Sequence, residues 1–367
     1  MQRKKILYIT SGSTPYRKSF FNAFAEIADL TVLYERQASL EREWVIEQDE
    51  RPGLTEIVMR SWLAFKTCAF CPEVITYLKK NSYDHIIIGG YSTPTAMLAI
   101  LWLRLHKKKY VLNADGGLLK PESPVMRKMK TFFISGADKW LSTGTATTEY
   151  FLYYGARKED VFVYPFTSVG CSDVLSQPLD RKHKDAIRND LGMAEERIIL
   201  CVGQFIHRKG IDVLMQACTG IDSSVGVYVV GGVPTEEYLR MKEELGLTNV
   251  HFVGFMQKEQ LQQYYLAADL FVLPTREDIW GLVINEALAK ALPVVTTDRC
   301  VAGLELVING ENGYIVPVED AAAVSKAINA CFRSDEVLDT MAQNALKSIT
   351  YYTFESMAKV HLDIVSC

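Results

Sequence analysis

The stretch Leu270-Phe-Val-Leu-Pro274-Thr-Arg-Glu277-Asp278-Ile-Trp-Gly281-Leu-Val-Ile-Asn-Glu286-Ala-Leu-Ala-Lys-Ala-Leu-Pro293-Val-Val-Thr-Thr297 decides the fold. Its first apolar run, residues 270–274, has the length of a buried strand, and a polar turn with two carboxylates follows. A helix-length segment then begins near Gly281, carries Glu286 on its first turns, and is closed by a second apolar run at 294–297. Strand, crossover helix and strand in that order build a parallel sheet.

The same alternation extends in both directions. Candidate strands at 5–10, 30–34, 85–89, 110–113, 140–142 and 161–164 form one series, and those at 198–203, 226–230, 251–253, 270–274, 294–297 and 314–316 form another. Each series predicts one doubly wound α/β domain, with a boundary in the polar, Pro178-bearing stretch between them. The expected division is 1–175 and 176–350. A helical pattern at 337–348 breaks at 350–353 and resumes at 354–364, which predicts that 351–367 pack back on the first domain. Ligands of open α/β sheets bind beyond the carboxyl ends of the strands, so two such domains are expected to face a cleft lined by the residues that follow strands.

Composition narrows the classes. With 49% hydrophobic and 23% charged residues in 367, the chain is neither disordered nor a small disulfide scaffold. No apolar run reaches the roughly 18 residues of a membrane span, because the best, from residue 96, is closed by Arg104 and Lys107, Lys108 and Lys109. The basic start Met1-Gln2-Arg3-Lys4-Lys5 precedes an apolar run too short for a signal peptide, and the eight cysteines are scattered, so a cytoplasmic chain is expected. Cys68-Ala-Phe-Cys71 has no second pair at zinc spacing and reads as packing rather than metal or redox chemistry. No Gly-x-Gly-x-x-Gly follows a strand, Gly231-Gly232 being the nearest approach, which argues against a dehydrogenase. Residues 1–170 hold 23 Lys and Arg against 17 Asp and Glu, whereas 171–367 hold 17 against 27. The basic half points to an anionic partner. Residues 97–105 beside Lys107, and 125–134 with Arg127, Lys128 and Lys130, predict contact with an anionic membrane surface, at the inner face if the acceptor is lipid-linked; the alternative for the first segment is a buried crossover helix. No nucleic-acid partner is expected.

Two strand-following turns carry site chemistry. Backbone N–H groups of Trp280, Gly281 and Leu282 at a helix start form an anion site, unless Glu277 and Asp278 simply cap that helix. Gly203-Gln204-Phe-Ile-His-Arg208-Lys209-Gly210 has the composition of a diphosphate clamp, the alternative being a solvated basic face.

Six motifs in order, Gly203-x4-Arg208-Lys209-Gly210, His251-Phe-Val-Gly254, Ala268-Asp269-Leu-Phe-Val-Leu-Pro274, Asp278-x7-Glu286, Pro293-Val-Val and Asn309-Gly310-Glu-Asn312-Gly313, give residues 195–365 a close resemblance to the retaining glycosyltransferases of family 4. Pro15-Tyr16-Arg17-x3-Phe21-Asn22 and Asn113-Ala-Asp115-Gly116-Gly117 resemble, more loosely, members that build bacterial surface polysaccharides. The resemblance implies the GT-B fold and a hexosyltransferase that moves a sugar from a nucleoside-diphosphate sugar to a saccharide or lipid-linked saccharide, with neither cofactor nor metal. It assigns Glu286 to the donor ribose, Lys209 and Arg208 to the diphosphate, and Val253 and Gly254 to the base. Gly12, Gly203, Gln204, Ile279, Trp280, Gly281 and Leu282 complete the implied donor site. Asp278 stands where the family's first glutamate is usual, with Glu277 its alternative, and Asp115 where a histidine is usual beside the reacting sugar. Tyr16, Arg17, Tyr91 and Asn113 are assigned to the acceptor. A sugar-nucleotide epimerase or hydrolase, and a non-catalytic sugar-nucleotide-binding subunit motivated by Gln204, Asp278 and Asp115, are the competing readings.

Overall fold

The computed structural model describes residues 3–36, 51–64, 68–80 and 82–366. The chain divides into two compact units, Met1–Gly170 with Tyr352–Cys367, and Cys171–Tyr351.

The first unit contains β1 (Lys5–Thr10), β2 (Asp29–Tyr34), β3 (Leu54–Val58), the short pair β4 (Leu63–Ala64) and β5 (Ala69–Phe70), then β6 (His85–Gly89), β7 (Val111–Asn113), β8 (Lys139–Ser142) and β9 (Val161–Val163). Seven of these form a parallel sheet in the order β3-β2-β1-β6-β7-β8-β9. Local chemistry starts its helices: Thr14, Thr93 and Ser123 each accept a backbone N–H at the head of helices Pro15–Ile27, Pro94–Leu105 and Pro124–Ile134, and proline occupies the first turn of each. The core gathers Trp140, Phe151, Tyr154, Leu103 and Ile100 under the sheet. The final helix, Phe354–Ser366, belongs to this unit. Its His361 ring packs 4.9 Å from Phe20 and 4.6 Å from Tyr164.

The second unit contains β10 (Arg197–Val202), β11 (Val225–Val230), β12 (Val250–Val253), β13 (Leu270–Leu273), β14 (Val294–Thr297) and β15 (Gly313–Val316), all parallel in the order β12-β11-β10-β13-β14-β15. Strand order reverses between β10 and β13, so the loops leaving these two neighbours diverge above the sheet and form the topological switch point. In the first unit the reversal lies between β1 and β6.

The expected pair of doubly wound parallel sheets is therefore present. One strand of the large sheets escaped the sequence: β3 reads Leu-Thr-Glu-Ile-Val, is mostly exposed, and lies at the sheet edge, where no apolar run is required. Cys68 and Cys71 are both free thiols, and Cys71 is buried with its backbone N–H on Thr95 Oγ1.

Candidate active site

At the switch point of the second unit, the loop after β10 and the loop after β13 are fastened to each other. Gly210 takes a left-handed φ of 66°, and a Cβ there would lie 2.0 Å from the Pro274 carbonyl oxygen, so only glycine permits the approach. Thr275 Oγ1 and the Arg276 N–H both donate to Arg208 O at 2.9 Å, and Arg208 Nη1 donates back to Glu277 O at 2.9 Å. Arg276 adds a clamp, donating to His207 O at 2.6 Å and to both Asp212 oxygens at 2.8 and 2.6 Å.

This fastening brings Lys209 onto Asp278. Lys209 Nζ donates to Asp278 Oδ2 at 2.6 Å, with both side chains largely buried, and Arg208 Nη1 stands 3.7 Å from the same oxygen. The Lys209 stem runs over Gly203, where a Cβ would meet it at 3.4 Å. Asp278 is held by its backbone as well: its N–H donates to Arg299 O at 2.9 Å and its carbonyl accepts from the Val301 N–H at 3.2 Å. Two cations and one carboxylate thus share a few ångströms at the mouth of the sheet, which is an arrangement able to hold a diphosphate while presenting an acid to an adjoining polar group.

The neighbouring helix Leu282–Ala289 begins on Gly281, at φ 102°, with no capping side chain. The close approach of Gly281 to Cys300, whose Sγ would be 2.7 Å from a Cβ, fixes that turn against the turn that follows β14. The Trp280 indole donates to Asn285 Oδ1 at 2.8 Å inside the unit, and Ile279 is exposed. Glu286 faces Tyr265, whose hydroxyl donates to Glu286 Oε2 at 3.0 Å. Burial, reinforced by the Glu286 carboxylate, pushes the Tyr265 phenol well up, so it stays a donor. Gln204 is exposed, and Val253 ends β12 with Gly254 following it.

The first unit carries its own cluster. Arg17 Nη2 donates to Asp115 Oδ2 at 2.5 Å, and the hydroxyls of Tyr16 and Tyr164 reach the two Asp115 oxygens at 3.3 and 3.4 Å. Asn113 Oδ1 accepts from Tyr8 OH at 2.7 Å in the buried layer beneath. Tyr16, Arg17, Asn113 and Asp115 are therefore neighbours. Tyr91 is not in that hydrogen-bond set: its hydroxyl bonds the Tyr150 hydroxyl. The Gly12 turn lies against Arg36, whose side chain would be 3.6 Å from a Cβ.

Sequence reading missed Arg276, Tyr265 and Tyr164. Each acts through a partner 21 to 64 residues away in the chain, and none sits in a motif of its own. Among the described residues, no cluster of three or more His, Cys, Asp or Glu side chains has the geometry of a metal site, and no helix is long and apolar enough to cross a membrane.

Residues 183–348 match the family model described as Glycosyl transferases group 1. The D-inositol 3-phosphate glycosyltransferase of Corynebacterium urealyticum is 31% identical over 334 residues, covering 84% of this chain and 77% of that protein. The putative teichuronic acid biosynthesis glycosyltransferase TuaC of Bacillus subtilis is 32% identical over 146 residues, a match that spans 40% of this chain and only 36% of TuaC. Among solved structures, HepE of Anabaena in complex with UDP and glucose superposes with a TM-score of 0.77 at 18% identity, over 99% of this chain and 100% of that one, a likeness of fold.

Proposed function

The chain belongs to the glycosyl transferases group 1 family, glycosyltransferase enzymes of GT-B fold, and from that premise we propose that it catalyses metal-independent, retaining transfer of a hexosyl group from a nucleoside-diphosphate sugar to a saccharide or lipid-linked saccharide. The observation that carries the reading is the fastening of Lys209 and Arg208 onto Asp278 at the switch point of the second unit.

The reaction breaks the bond between the anomeric carbon and the β-phosphate oxygen and forms a bond from that carbon to an acceptor hydroxyl oxygen. Negative charge grows on the leaving diphosphate as the sugar takes on oxocarbenium character. Lys209 and Arg208 are the groups that meet that charge, and no cofactor is required for the step. In the resting site Asp278 balances Lys209; when the diphosphate arrives it takes over that balance, and Asp278 is released to orient the sugar. Glu286, steadied by Tyr265, accepts from the ribose hydroxyls, and Val253 and Gly254 meet the base. Retention follows from attack on the face the diphosphate leaves, the departing oxygen receiving the acceptor's proton. The acceptor falls to the first unit, through Tyr16, Arg17, Asn113 and Asp115. The name of TuaC, a putative teichuronic acid biosynthesis glycosyltransferase, supports a place in polysaccharide synthesis; presentation of the acceptor at the cytoplasmic face of a membrane is part of the same proposal.

The test is incubation with UDP-, GDP- and ADP-sugars and a panel of saccharide acceptors in the presence of EDTA. Nucleoside diphosphate release coupled to a product with the donor's anomeric configuration, read by NMR, is expected. Release that needs an added divalent cation, or an inverted product, overturns the reading.

A further inference from the structure

The helix Pro124–Ile134 turns only Phe133 and Ile134 into the core of the first unit. Its other large apolar side chains face outward: Val125 is 78% exposed, and Met126, Met129 and Phe132 are exposed with it. Positions 125, 129 and 132 follow helical i, i+4, i+7 spacing and make one stripe. The stripe continues onto the helix Pro94–Leu105. Arg104 donates to Phe132 O and lays its guanidinium 4.2 Å above the Phe132 ring, so Leu105, 79% exposed, borders the stripe's end.

The exposed charges of residues 97–134 have one sign. Lys107, Lys108 and Lys109 follow Leu105 and Lys128 flanks the stripe, all four exposed, while Arg127 stands on the other side of the helix with its guanidinium 4.4 Å over the Tyr153 ring. From residue 97 to 134 the only acidic side chains are Asp115 and Glu122, and both are engaged, with Arg17 and with Lys130. An apolar face edged by unopposed cations is costly to leave in water and partitions to anionic lipid headgroups, where lysines reach the phosphates while apolar side chains enter the acyl boundary. A second copy related by a two-fold axis would set the cations against one another.

We propose that the first unit docks on an anionic bilayer through the outward face of Pro124–Ile134 and the end of Pro94–Leu105. The inference rests on the membrane-presented acceptor of the proposed function, but docking is measured with neither donor nor acceptor present, so either reading can fail alone. The full chain is floated with vesicles of phosphatidylcholine, or of equimolar phosphatidylcholine and phosphatidylglycerol. Recovery with the anionic vesicles at low salt, weakening as salt rises and absent on phosphatidylcholine alone, is expected. Joint Leu105→Glu and Val125→Glu, both at exposed positions, should lower partitioning roughly tenfold or more. Ile308→Glu, at an exposed site of the second unit, should leave it unchanged, with circular dichroism confirming that each variant folds. Wild-type chain that stays with the soluble fraction overturns the proposal, as does equal loss in the control. A dimer dissolved by Val125→Glu, with no vesicle binding, would assign the face to a second copy and also overturn it.

Discussion

Lys209 Nζ lies 2.6 Å from Asp278 Oδ2, joining the loop after β10 to the loop after β13 across 69 residues of chain. The pair is largely buried, and Lys209 is the nearer and less exposed of the two cations that balance Asp278, with Arg208 at 3.7 Å. Lys209→Ala should therefore cost twice: roughly 10²–10³-fold in kcat, the scale of losing one preorganised charge-stabilising group, and a lower melting temperature from an Asp278 left with only the more distant and more exposed Arg208. Lys209→Arg, keeping the charge, should recover part of both. Steady-state kinetics with calorimetric melting reads the two effects separately.

The carboxylates should separate by kinetic signature. On the proposed assignment, Asp278→Asn removes a group that acts as the diphosphate departs, so kcat should fall with little change in donor KM. If Glu286 holds the ribose as proposed, Glu286→Ala removes a contact present in ground and transition states alike, so donor KM should rise while kcat holds. Tyr265→Phe leaves the Glu286 carboxylate in place but loosens it, and should give a smaller KM rise of the same kind. Glu277→Gln is the comparison for Asp278: if it alone abolishes turnover, the acting carboxylate is Glu277.

Gly210→Ala sets a Cβ 2.0 Å from the Pro274 oxygen at a left-handed φ, whereas Gly246→Ala meets a similar φ of 64° with nothing within 4 Å. The second substitution should cost about 1 kcal/mol in stability and leave kinetics intact. The first should cost more and lower kcat as the two loops part, which melting curves and kinetics on both variants will compare.

His361 predicts the acid limit of the first unit. Its Nδ1 donates to Met357 O at 2.8 Å, its Nε2 has no partner among the described residues, and burial pushes the ring down to about 4, against smaller upward pulls from the Met357 hydrogen bond and Asp115. The folded chain binds this proton less readily than the unfolded chain, whose imidazole titrates near 6.5, so the stability is present above that pH and is lost as pH falls through the folded value, about 3 kcal/mol in all. Melting temperature should fall more steeply for wild type than for His361→Phe between about pH 6.5 and about pH 4. Parallel curves would contradict this.

Arg17→Ala should raise the acceptor KM and leave donor binding, measured by titration calorimetry, unchanged, because the Arg17 to Asp115 pair lies wholly within the first unit. A weakened donor affinity would contradict the assignment of this cluster to the acceptor.

The sheets were legible because fully buried parallel strands need apolar runs on both faces, and β1, β6 and β14 begin and end where those runs do. β3 was not, since Thr55 and Glu56 face solvent on an edge strand. In the candidate site, Arg208, Lys209, Asp278 and Glu286 stood out by following strands at fixed spacing, and the fold brings the first two onto Asp278. Arg276 did not, because its value comes from Asp212 and Glu319, contacts that only the folded chain supplies. Tyr164 is likewise indistinguishable in sequence from the other tyrosines until β9 delivers its hydroxyl to Asp115.

The central claim, that the second unit holds a nucleoside diphosphate with protein cations alone, is tested most directly by thermal shift with UDP-, GDP- and ADP-sugars in EDTA, since a ligand that binds only the folded chain raises its melting temperature. The account predicts that at least one donor raises the melting temperature of wild type and that Lys209→Ala and Glu286→Ala abolish or reduce the shift. A shift that appears only when a divalent cation replaces EDTA, or that persists undiminished in both variants, would contradict it.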